Sequence, residues 1–279
     1  MSKEDLTFKA CDRMVRDFED VIKKPVREPS SVYYTGVDLG TACVVLAVLD
    51  EHLRPVAGTF RYADVVRDGM VVDYIGAIRI VREMKEELEE KLGSQLIYAA
   101  AAIPPGTDAL DSGAIKNVVQ GAGFEITALA DEPTAANAVL NIRNGAVVDI
   151  GGGTTGISVL KDGKVVYVAD EPTGGTHFSL VIAGAYKMSF ADAEIYKRDK
   201  KNHKELLPVL KPVIEKVSSI ISRHIEGREV DGIYLVGGTC CLTGIEGIIE
   251  KKTGIPTYKP GNPMFVTPLG IARNCTAQA

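Results

Sequence analysis

Residues that bind metals or carry redox chemistry are scarce in this sequence of 279 residues. It has four histidines, and no two of them lie close enough along the chain to suggest a metal site. The five cysteines are odd in number and show no CxxC spacing, and the adjacent pair Cys240 and Cys241 is interpreted as two small buried residues. We therefore expect no zinc and no disulfide framework, but reduced thiols in a cytoplasm.

Long apolar runs and an excess of basic residues are also missing. No apolar run approaches the roughly 20 residues that a membrane helix needs, and the N-terminus carries charges where an export signal has an apolar core. The 32 Lys+Arg against 37 Asp+Glu give a net charge of −5, whereas a surface that binds nucleic acid normally has a basic excess. We therefore expect a cytoplasmic protein that binds neither membrane nor nucleic acid.

The composition is that of a globular protein, with 46% hydrophobic residues, 25% charged residues and 28 glycines. The length suits two domains, or one large domain of two lobes. Residues 1–30 predict an amphipathic helix and a linker, since apolar residues recur at helical spacing and two prolines follow. This helix either packs on the body or is exposed for a partner. Lobe I is predicted at residues 31–144 and lobe II at residues 145–279.

Strand and helix patterns alternate along the two lobes, which predicts an α/β fold. Strands are expected at residues 32–37, 44–49, 55–62, 96–103, 125–129, 146–150, 157–160, 165–168 and 233–236. Helices are expected at residues 74–92, 111–121, 133–140, 177–188, 191–200, 205–226, 242–252 and 263–273. Gly93 predicts a helix end, and the pair Asp162 and Gly163 predicts a hairpin turn.

One pattern occurs in both halves of the chain. The segments GVDLGT (residues 36–41) and VDIGGGT (residues 148–154) each bring an apolar strand to an Asp, then Gly, then Thr, before a hydrophobic strand resumes. The two acids, Asp38 and Asp149, lie 111 residues apart. A duplicated strand–turn–strand with an acid at each tip predicts two similar lobes that face each other across a cleft.

The composition of these turns suits phosphate and a metal ion. Glycines allow backbone N–H groups to approach phosphate oxygens, and the hydroxyls of Thr41, Thr154 and Thr155 can add donors. Asp38 and Asp149 would repel phosphate, but they suit Mg²⁺, which keeps several waters and is held by one or two carboxylates together with phosphates. The turns therefore predict a site for a phosphate ligand with its cation.

Two further segments carry candidate chemistry. In DEPTAA (residues 131–136), Glu132 stands just before a helix that begins with proline, where a carboxylate can orient and activate a water. The alternative is an acid favoured only by the helix dipole. In LVGGT (residues 235–239), a strand ends in two glycines, and a flat adenine ring can lie against this bare backbone.

These four segments, in this order, resemble the ATPase fold shared by actin, sugar kinases and Hsp70 chaperones. Residues 37–41 look like the first phosphate motif of that fold, and residues 148–155 like its second. Residues 131–136 are similar to the hinge motif of Hsp70 and MreB, and residues 235–239 to the adenosine motif. The resemblance covers about residues 32–272 and implies a two-lobed actin-like ATPase fold, a duplicated ribonuclease H-like architecture, with ATP or ADP and Mg²⁺ between the lobes.

The resemblance also implies roles for individual residues. EIYKR (residues 194–198) looks like the helix whose Glu and Lys flank the adenine, although Glu194 and Lys197 also fit an ordinary surface pair. Gly174 and Gly175 resemble the turn that follows the second phosphate motif. Asp38 and Asp149 would hold the metal through water, and Glu132 would position the attacking water. The implied nucleotide-binding residues are Gly40, Thr41, Ala42, Gly151, Gly152, Gly153, Thr154, Thr155, Gly174, Gly175, Glu194, Lys197, Arg198, Gly237, Gly238 and Thr239.

Three departures from the pattern indicate slow hydrolysis. Hsp70 and MreB usually have an acid after the second phosphate turn, where this chain has Gly156. The first turn has the sequence Thr41-Ala42-Cys43, so one hydroxyl that Hsp70 often has there is absent. The catalytic lysine of the chaperone has no clear counterpart here, with Arg61 and Arg67 as the candidates. The sequence therefore supports nucleotide binding better than turnover.

Four shorter segments resemble a chaperone-like family encoded with ethanolamine-utilisation microcompartments: residues 62–69, 104–108, 223–227 and 265–272. This resemblance implies a chaperone or assembly factor whose ATP state controls binding of protein clients, namely ethanolamine-utilisation enzymes or shell proteins. It also implies a cytoplasmic location at the microcompartment. With 41 residues after Gly238, we expect clients to contact the ATPase body or the N-terminal helix.

Three other functions stay open on the sequence. One is a nucleotide-sensing scaffold without turnover, which Gly156 favours. Another is a filament-forming ATPase of the MreB type, which the phosphate motifs do not distinguish. A small-molecule kinase is less favoured, because no segment offers a base beside an acceptor pocket.

Overall fold

The alternating strand and helix patterns form two α/β units in a computed structural model of the protein. The structure describes residues 3–26, 28–67, 69–107 and 109–275; Asp68 and Asp108, which belong to two segments of the family resemblance, lie outside these ranges. The first unit comprises Met1–Asn141 with Phe265–Ala279, and the second comprises Ile142–Met264. The predicted α/β class is confirmed.

The strands are close to those predicted. They are β1 (Tyr34–Leu39), β2 (Cys43–Leu49), β3 (Pro55–Tyr62), β4 (Val66–Arg67), β5 (Met70–Val71), β6 (Tyr98–Ile103), β7 (Glu125–Asp131), β8 (Gly145–Ile150), β9 (Thr155–Lys161), β10 (Lys164–Glu171), β11 (Ile233–Val236) and β12 (Thr257–Tyr258). The short strands β4, β5 and β12 were not expected from the sequence, because two residues are too few to show a period.

The helices also follow the sequence pattern. They are α1 (Lys3–Lys23), α2 (Tyr74–Leu92), α3 (Ala109–Gly121), α4 (Glu132–Leu140), α5 (Gly175–Tyr186), α6 (Phe190–Arg198), α7 (His203–Ile225), α8 (Ile245–Thr253) and α9 (Val266–Asn274). As predicted, Gly93 ends α2 in the left-handed conformation, at φ 66°. Single 3₁₀ turns precede α7, α8 and α9.

The first unit is built on a five-stranded sheet in the order β3-β2-β1-β6-β7. The first three strands are antiparallel, and β1, β6 and β7 are parallel. The sequence of β6 is almost all alanine, and its residues enter two different cores: Ala99 and Ala101 pack with α2 and α3, whereas Ala100 and Ala102 pack with α4 and α9. Small side chains let helices cover both faces of this strand.

The C-terminal helix α9 belongs to the first unit, although the sequence predicts residues 145–279 as one lobe. It packs on α4 and on β1, which explains the grouping. The approach is very close: a Cβ atom built on Gly270 would lie 1.9 Å from the Ala135 carbonyl oxygen, and one built on Gly36 would lie 2.4 Å from the Pro268 carbonyl oxygen. Glycine is required at these contacts because any side chain would collide with backbone.

The N-terminal helix α1 packs on the first unit. Its apolar stripe of Cys11, Val15, Phe18 and Val21 is buried. The Phe18 ring lies edge-on to Phe265 at 5.2 Å between centroids, on the side of the helix that faces β3. Of the two interpretations left open by the sequence, the structure shows the packed helix.

The second unit repeats the strand plan of the first, in the order β10-β9-β8-β11-β12. β8, β9 and β10 are antiparallel neighbours, while β11 is parallel to β8 and to β12. The predicted hairpin turn joins β9 to β10, with positive φ at Asp162 (55°) and Gly163 (79°). The register of this hairpin shifts between Val165 and Tyr167, which leaves Val166 as the extra residue of a β-bulge.

Candidate functional site

The second phosphate turn of the sequence lies where β8 gives way to β9. The Gly151 N–H donates to the Thr154 carbonyl at 3.0 Å, which closes the turn. Two carbonyls of the turn are used by another segment: the Gly151 carbonyl accepts from the Gly175 N–H at 2.9 Å, and the Gly152 carbonyl accepts from the Thr176 N–H at 2.8 Å. The glycine turn is therefore held by the first residues of α5.

This docking requires glycine at the N-cap of α5. A Cβ atom built on Gly174 would lie 2.8 to 2.9 Å from the backbone of residues 151–153. Thr239, in the 3₁₀ turn after β11, adds a third contact, because its hydroxyl donates to the Gly151 carbonyl at 2.7 Å. Three segments that are distant in sequence thus meet at one glycine turn, and all three carry predicted nucleotide-binding residues.

Asp149 is the last residue but one of β8, and it is 5% exposed. Val236, on the neighbouring strand β11, is paired with Asp149, and the chain then turns at Gly237 with φ 91°. A Cβ atom built on Gly237 would lie 2.2 Å from Asp149 Oδ1. The Asp149 carboxylate therefore has room only because Gly237 has no side chain. The segments predicted as the second phosphate motif and the adenosine motif are in direct contact here.

Lys197 and Glu194 on α6 form a half-buried ion pair beneath α5. The Lys197 ammonium donates to Glu194 Oε1 at 2.7 Å, to Ser179 Oγ at 2.7 Å and to the Gly175 carbonyl at 2.9 Å. These three acceptors use all three hydrogens of the ammonium. Lys197 therefore fixes the position of Gly175, and only its aliphatic stem is left to contact a ligand.

The ion pair is extended by Arg198 and Ser179. Arg198 donates to Glu194 Oε2 at 2.9 Å, and Ser179 donates to Glu194 Oε1. Burial alone would raise the pKa of Glu194, but the charge and hydrogen bond of Lys197, with the hydrogen bond of Ser179 and the charge of Arg198, outweigh it, so that this pKa is lowered. Burial lowers the pKa of Lys197, against the charge of Glu194.

The two threonines of the turn have different partners. The Thr155 side chain is fully buried, and its hydroxyl donates to the Thr173 carbonyl at 2.5 Å. The Thr154 hydroxyl instead donates to the carboxylate of Asp170 on β10. Thr155 therefore ties the turn to the segment before α5, whereas Thr154 lies next to an acid that the sequence analysis had not singled out.

The first unit carries the first phosphate turn at the end of β1. Asp38 is half-buried there, opposite Val45 of β2. The Gly40 N–H donates to the Cys43 carbonyl at 3.1 Å, so that Gly40, Thr41 and Ala42 form the tip of a β-hairpin. The three tip residues are half-buried.

Glu132 is the first residue of α4, directly after β7. Asp131 caps the helix, because its side chain accepts from the Thr134 N–H at 2.9 Å. Since β1, β6 and β7 are parallel, their carboxyl ends share one edge of the sheet, which is the edge that carries Asp38 and Glu132. Ligands in such sheets bind at this edge.

The two arginines considered as substitutes for a catalytic lysine are engaged elsewhere in the first unit. Arg61 bridges Glu83 at 2.6 Å and Glu87 at 3.2 Å, both on α2. Arg67 pairs with Asp64 at 3.7 Å and is largely exposed. Neither contact shows a catalytic function.

The chemistry of the acids beside the glycine turns is compatible with Mg²⁺. No group of three His, Cys, Asp or Glu side chains that could hold a metal by themselves occurs in the described ranges. A magnesium ion held by one or two carboxylates, waters and phosphates needs no such group, and the buried Asp149 beside the glycine turn supplies the hard oxygen that Mg²⁺ prefers. No described helix is long and apolar enough to cross a membrane.

Sequence reasoning missed the residues that support the turn from outside it. These are Ser179, Thr173 and Asp170, each of which bonds to a predicted site residue. Their partners lie 18, 18 and 16 residues away. Only for Asp170 did the sequence carry a signal, since the hairpin turn at residues 162–163 brings β10 back alongside β9.

Two family models match the chain. The MreB/Mbl protein model matches residues 51–191, and the model described as type IV pilus assembly protein PilM matches residues 141–264. The ethanolamine utilization protein EutJ of Salmonella typhimurium is 45% identical over 247 residues, which cover 88% of this chain and 87% of that protein.

Solved structures agree with these matches. The crystal structure of EutJ from Carboxydothermus hydrogenoformans has a TM-score of 0.91 and 47% identity, and it covers 95% of this chain and 98% of its own. The structure of MreB5 of Spiroplasma citri bound to AMPPNP has a TM-score of 0.71 at 19% identity, over 87% of this chain and 95% of its own. At that identity, MreB5 shows the shared fold.

The duplicated units with a glycine turn in each thus define a protein with the two-lobed actin-like ATPase fold, and the resemblance to this class inferred from the sequence is confirmed. Within the class, the high identity over nearly the whole length is decisive. The chain belongs to the EutJ family.

Proposed function

We propose that this protein binds ATP and ADP with Mg²⁺, hydrolyses ATP slowly, and uses the nucleotide state to act as a chaperone or assembly factor in ethanolamine utilisation. The observation that carries the proposal is the convergence of three segments on the glycine turn of the second unit. Residues 151–154, Gly174 with Gly175, and Thr239 are joined there by hydrogen bonds beside the buried Asp149. The N–H groups of Gly151, Gly175 and Thr176 are used in holding the turn, so the proposal assigns the phosphate oxygens to the other N–H groups of the turn, those of residues 152–154.

The residues of the second unit take distinct roles in this proposal. The turn from Gly151 to Thr154 receives the phosphates, and Gly237, Gly238 and Thr239 offer a flat backbone to the nucleoside. Lys197 holds Gly175, Glu194 holds Lys197, and Arg198 holds Glu194, so these three position the turn. The proposal uses the backbone of Thr155 but not its hydroxyl, which the Thr173 carbonyl already receives.

The first unit supplies the other predicted residues. The hairpin tip of Gly40, Thr41 and Ala42 is the second phosphate turn of the proposal, and Asp38 and Asp149 are the carboxylates that would hold Mg²⁺ through water. When bound, Mg²⁺ would neutralise phosphate charge. Glu132, at the start of α4, accepts a proton from the water that attacks the terminal phosphate and so orients that water.

The clients follow from family membership. The relatives are named ethanolamine utilization proteins, so we propose the enzymes or shell proteins of that pathway as partners and the microcompartment in the cytoplasm as the location. Co-precipitation from cells grown on ethanolamine, with and without added ATP, tests this part. Recovery of neither enzymes nor shell proteins in either condition would contradict the chaperone role.

The central experiment combines calorimetric titration of nucleotide-free protein with Mg·ATP and a phosphate-release assay on the same samples. We expect binding with slow release. Asp149→Asn should weaken Mg·ATP binding at least tenfold by removing a carboxylate from the cation, a loss of about 1.4 kcal/mol. Glu132→Ala should bind normally and release phosphate at least 100-fold more slowly, a typical effect for a general base.

The matched control is Glu229→Gln, which removes a carboxylate from an exposed pair with Lys161 in the second unit. It should match the wild type in both assays. Hydrolysis at the wild-type rate in Glu132→Ala would refute the role of Glu132, and absence of binding in the wild type would refute the whole proposal.

A second candidate function is a filament-forming ATPase, favoured by the match of the MreB/Mbl model to residues 51–191. Sedimentation of the protein with ATP, ADP or no nucleotide separates the two. A pellet that depends on ATP supports the filament, and protein that stays in the supernatant in all three conditions supports the chaperone. Binding without phosphate release would instead indicate a nucleotide-sensing scaffold.

A further inference from the structure

Two carboxylates and a glycine form a row across three strands of the second unit. Asp149 on β8 is paired with Gly156 on β9, and Gly156 is paired with Asp170 on β10. Side chains of paired residues point to the same face of a sheet, with about 5 Å between neighbouring Cβ positions. Asp149 and Asp170 therefore share one face, on either side of a residue that places no side chain between them.

The surroundings of Asp170 combine one hydrogen-bonded oxygen with one that lacks a partner. The carboxylate accepts the hydrogen of the Thr154 hydroxyl. Its Oδ1 atom is shielded from solvent and has no hydrogen-bond partner in the part of the chain that the structure describes. The backbone N–H of Glu171 also donates to this carboxylate. A shielded carboxylate oxygen without a partner is unusual, because buried polar atoms are nearly always hydrogen-bonded.

The bond to Asp170 decides what the Thr154 hydroxyl can offer to a ligand. A hydroxyl has one hydrogen and two lone pairs. In this contact the Thr154 hydroxyl gives its hydrogen to Asp170, since a carboxylate oxygen accepts and a hydroxyl donates. The lone pairs that remain bind cations or accept from water, and they repel the oxygens of a phosphate.

We propose that Asp170 is a positioning residue that holds the Thr154 hydroxyl as an acceptor, so that Thr154 offers its oxygen to the cation of a bound nucleotide and not a hydrogen bond to its phosphates. The ligand class is a hydrated divalent cation carried by a nucleoside polyphosphate. Mg²⁺ accepts a hydroxyl oxygen among its ligands and retains waters, which suits a turn with a single such group. This inference rests on the proposed function, because it requires nucleotide at the second unit.

The test measures the affinity of the full chain for ATP by calorimetry, once with excess Mg²⁺ and once with EDTA. The ratio of the two affinities reports the contribution of the cation. Removal of a group that orients a metal ligand typically costs 10- to 100-fold in metal affinity. We expect Asp170→Ala to lower the ratio about tenfold while affinity in EDTA is kept, since the released hydroxyl can then donate to a phosphate.

A double-substitution cycle separates positioning from general damage. Thr154→Val should lower the ratio about as much as Asp170→Ala, and the double variant should be no worse than Thr154→Val, because Asp170 acts only through the hydroxyl. Thr154→Ser should retain the wild-type ratio. The matched control is Glu171→Gln, the adjacent carboxylate on β10, which binds Arg223 and His224 and should leave the ratio unchanged.

Each other result overturns a defined part of the argument. Equal losses with and without Mg²⁺ in Asp170→Ala, or additive effects in the double variant, would overturn the assignment of Asp170. If Asp170→Ala fails to fold, Asp170→Asn replaces it. The amide does not demand the hydroxyl hydrogen, so an unchanged ratio in that variant would overturn the assignment too. A wild type that binds ATP in neither buffer would overturn the proposed function itself.

Discussion

The two units share a strand plan, but they hold their phosphate turns in different ways. In the first, a helix from the end of the chain presses on β1 and α4 at Gly36 and Gly270, so the turn is supported from the sheet face. In the second, hydrogen bonds from Gly175, Thr176 and Thr239 hold the turn at its own carbonyls. Duplication therefore preserved the position of the turns, while the support was built separately in each unit.

This difference has a consequence for the acids. Asp38 lies half-buried beside a turn with a single glycine, whereas Asp149 is 5% exposed beside three glycines and against Gly237. The second unit has the more pre-organised turn, since its backbone is already fixed without a ligand. Pre-organised donors bind more strongly because less order is created on binding.

The substitution with the largest expected effect disrupts the packing of α9 on α4 in the first unit. In Gly270→Ala the new methyl group would meet the Ala135 carbonyl, which is backbone and cannot move aside. We expect a loss of about 3 kcal/mol or more in the free energy of unfolding, measured by urea denaturation. Phosphate release should also fall, because α4 carries Glu132.

Gly113→Ala is the matched control for this substitution. It is also a helical glycine of the first unit, in α3, and a Cβ there meets nothing within 4 Å. It should raise stability by about 0.5–1 kcal/mol, since alanine favours helix. Equal stability of the two variants would show that α9 is not a rigid support.

The next effect concerns the second unit. Lys197→Met removes the ammonium that holds the Gly175 carbonyl and leaves Glu194 with Arg198 and Ser179 as partners. Breaking such a pair costs about 3 kcal/mol when no partner remains, so we expect about 2 kcal/mol here, by urea denaturation. Nucleotide affinity should fall as well, because the second turn loses an anchor.

Lys211→Met serves as the control, since its pair with Glu215 is exposed and spans 3.8 Å. Such a pair contributes at most about 0.5 kcal/mol. If Lys197→Met destabilised the chain but left nucleotide affinity unchanged, Gly175 would have no part in the binding site.

The smallest effect is dependent on pH. His224 donates to Glu171 at 2.7 Å, and this bond, with Arg223, lowers the pKa of Glu171 against the effect of burial. A lowered carboxyl pKa stabilises the fold above the pKa of the unfolded chain, about 4.3, and this gain is lost as pH falls. Glu171→Gln should therefore lower the free energy of unfolding by about 0.5–1 kcal/mol at pH 7 and hardly change it at pH 3, as measured by denaturation at the two pH values. Equal losses at both would show that packing, and not charge, stabilises this contact.

Elements with a strong local signal were predictable from the sequence. The spacing of apolar residues gave β3 at residues 55–62 and α2 at residues 74–92 with the bounds that the structure shows, and glycine marked the end of α2. The duplicated turns were predictable because each consists of consecutive residues. Convergence of Gly151, Gly175 and Thr239 followed only from the resemblance to a known fold.

Contacts made between distant segments left no such signal. The return of α9 to the first unit depends on small residues at both sides of a helix contact, and glycine in a helix is ambiguous by itself. The three hydrogen bonds of the Lys197 ammonium could not be predicted either, because the sequence EIYKR does not show whether its lysine is buried or exposed. Tertiary packing decides such cases.

The β-bulge at Val166 sets the register between β9 and β10. If Val166 instead paired with Val159 in a regular ladder, Asp170 would pair with Thr155. Its carboxylate would then lie on the opposite face of the sheet, because a shift of one residue exchanges the two faces. The one extra residue thus determines which face each of two consecutive acids occupies: Asp170 contacts Thr154 of the glycine turn, and Glu171 contacts His224. In this chain an acid faces the glycine turn because of the register of a neighbouring strand, so a one-residue slip of β10 that took Val166 into the ladder would turn Asp170 to the opposite face.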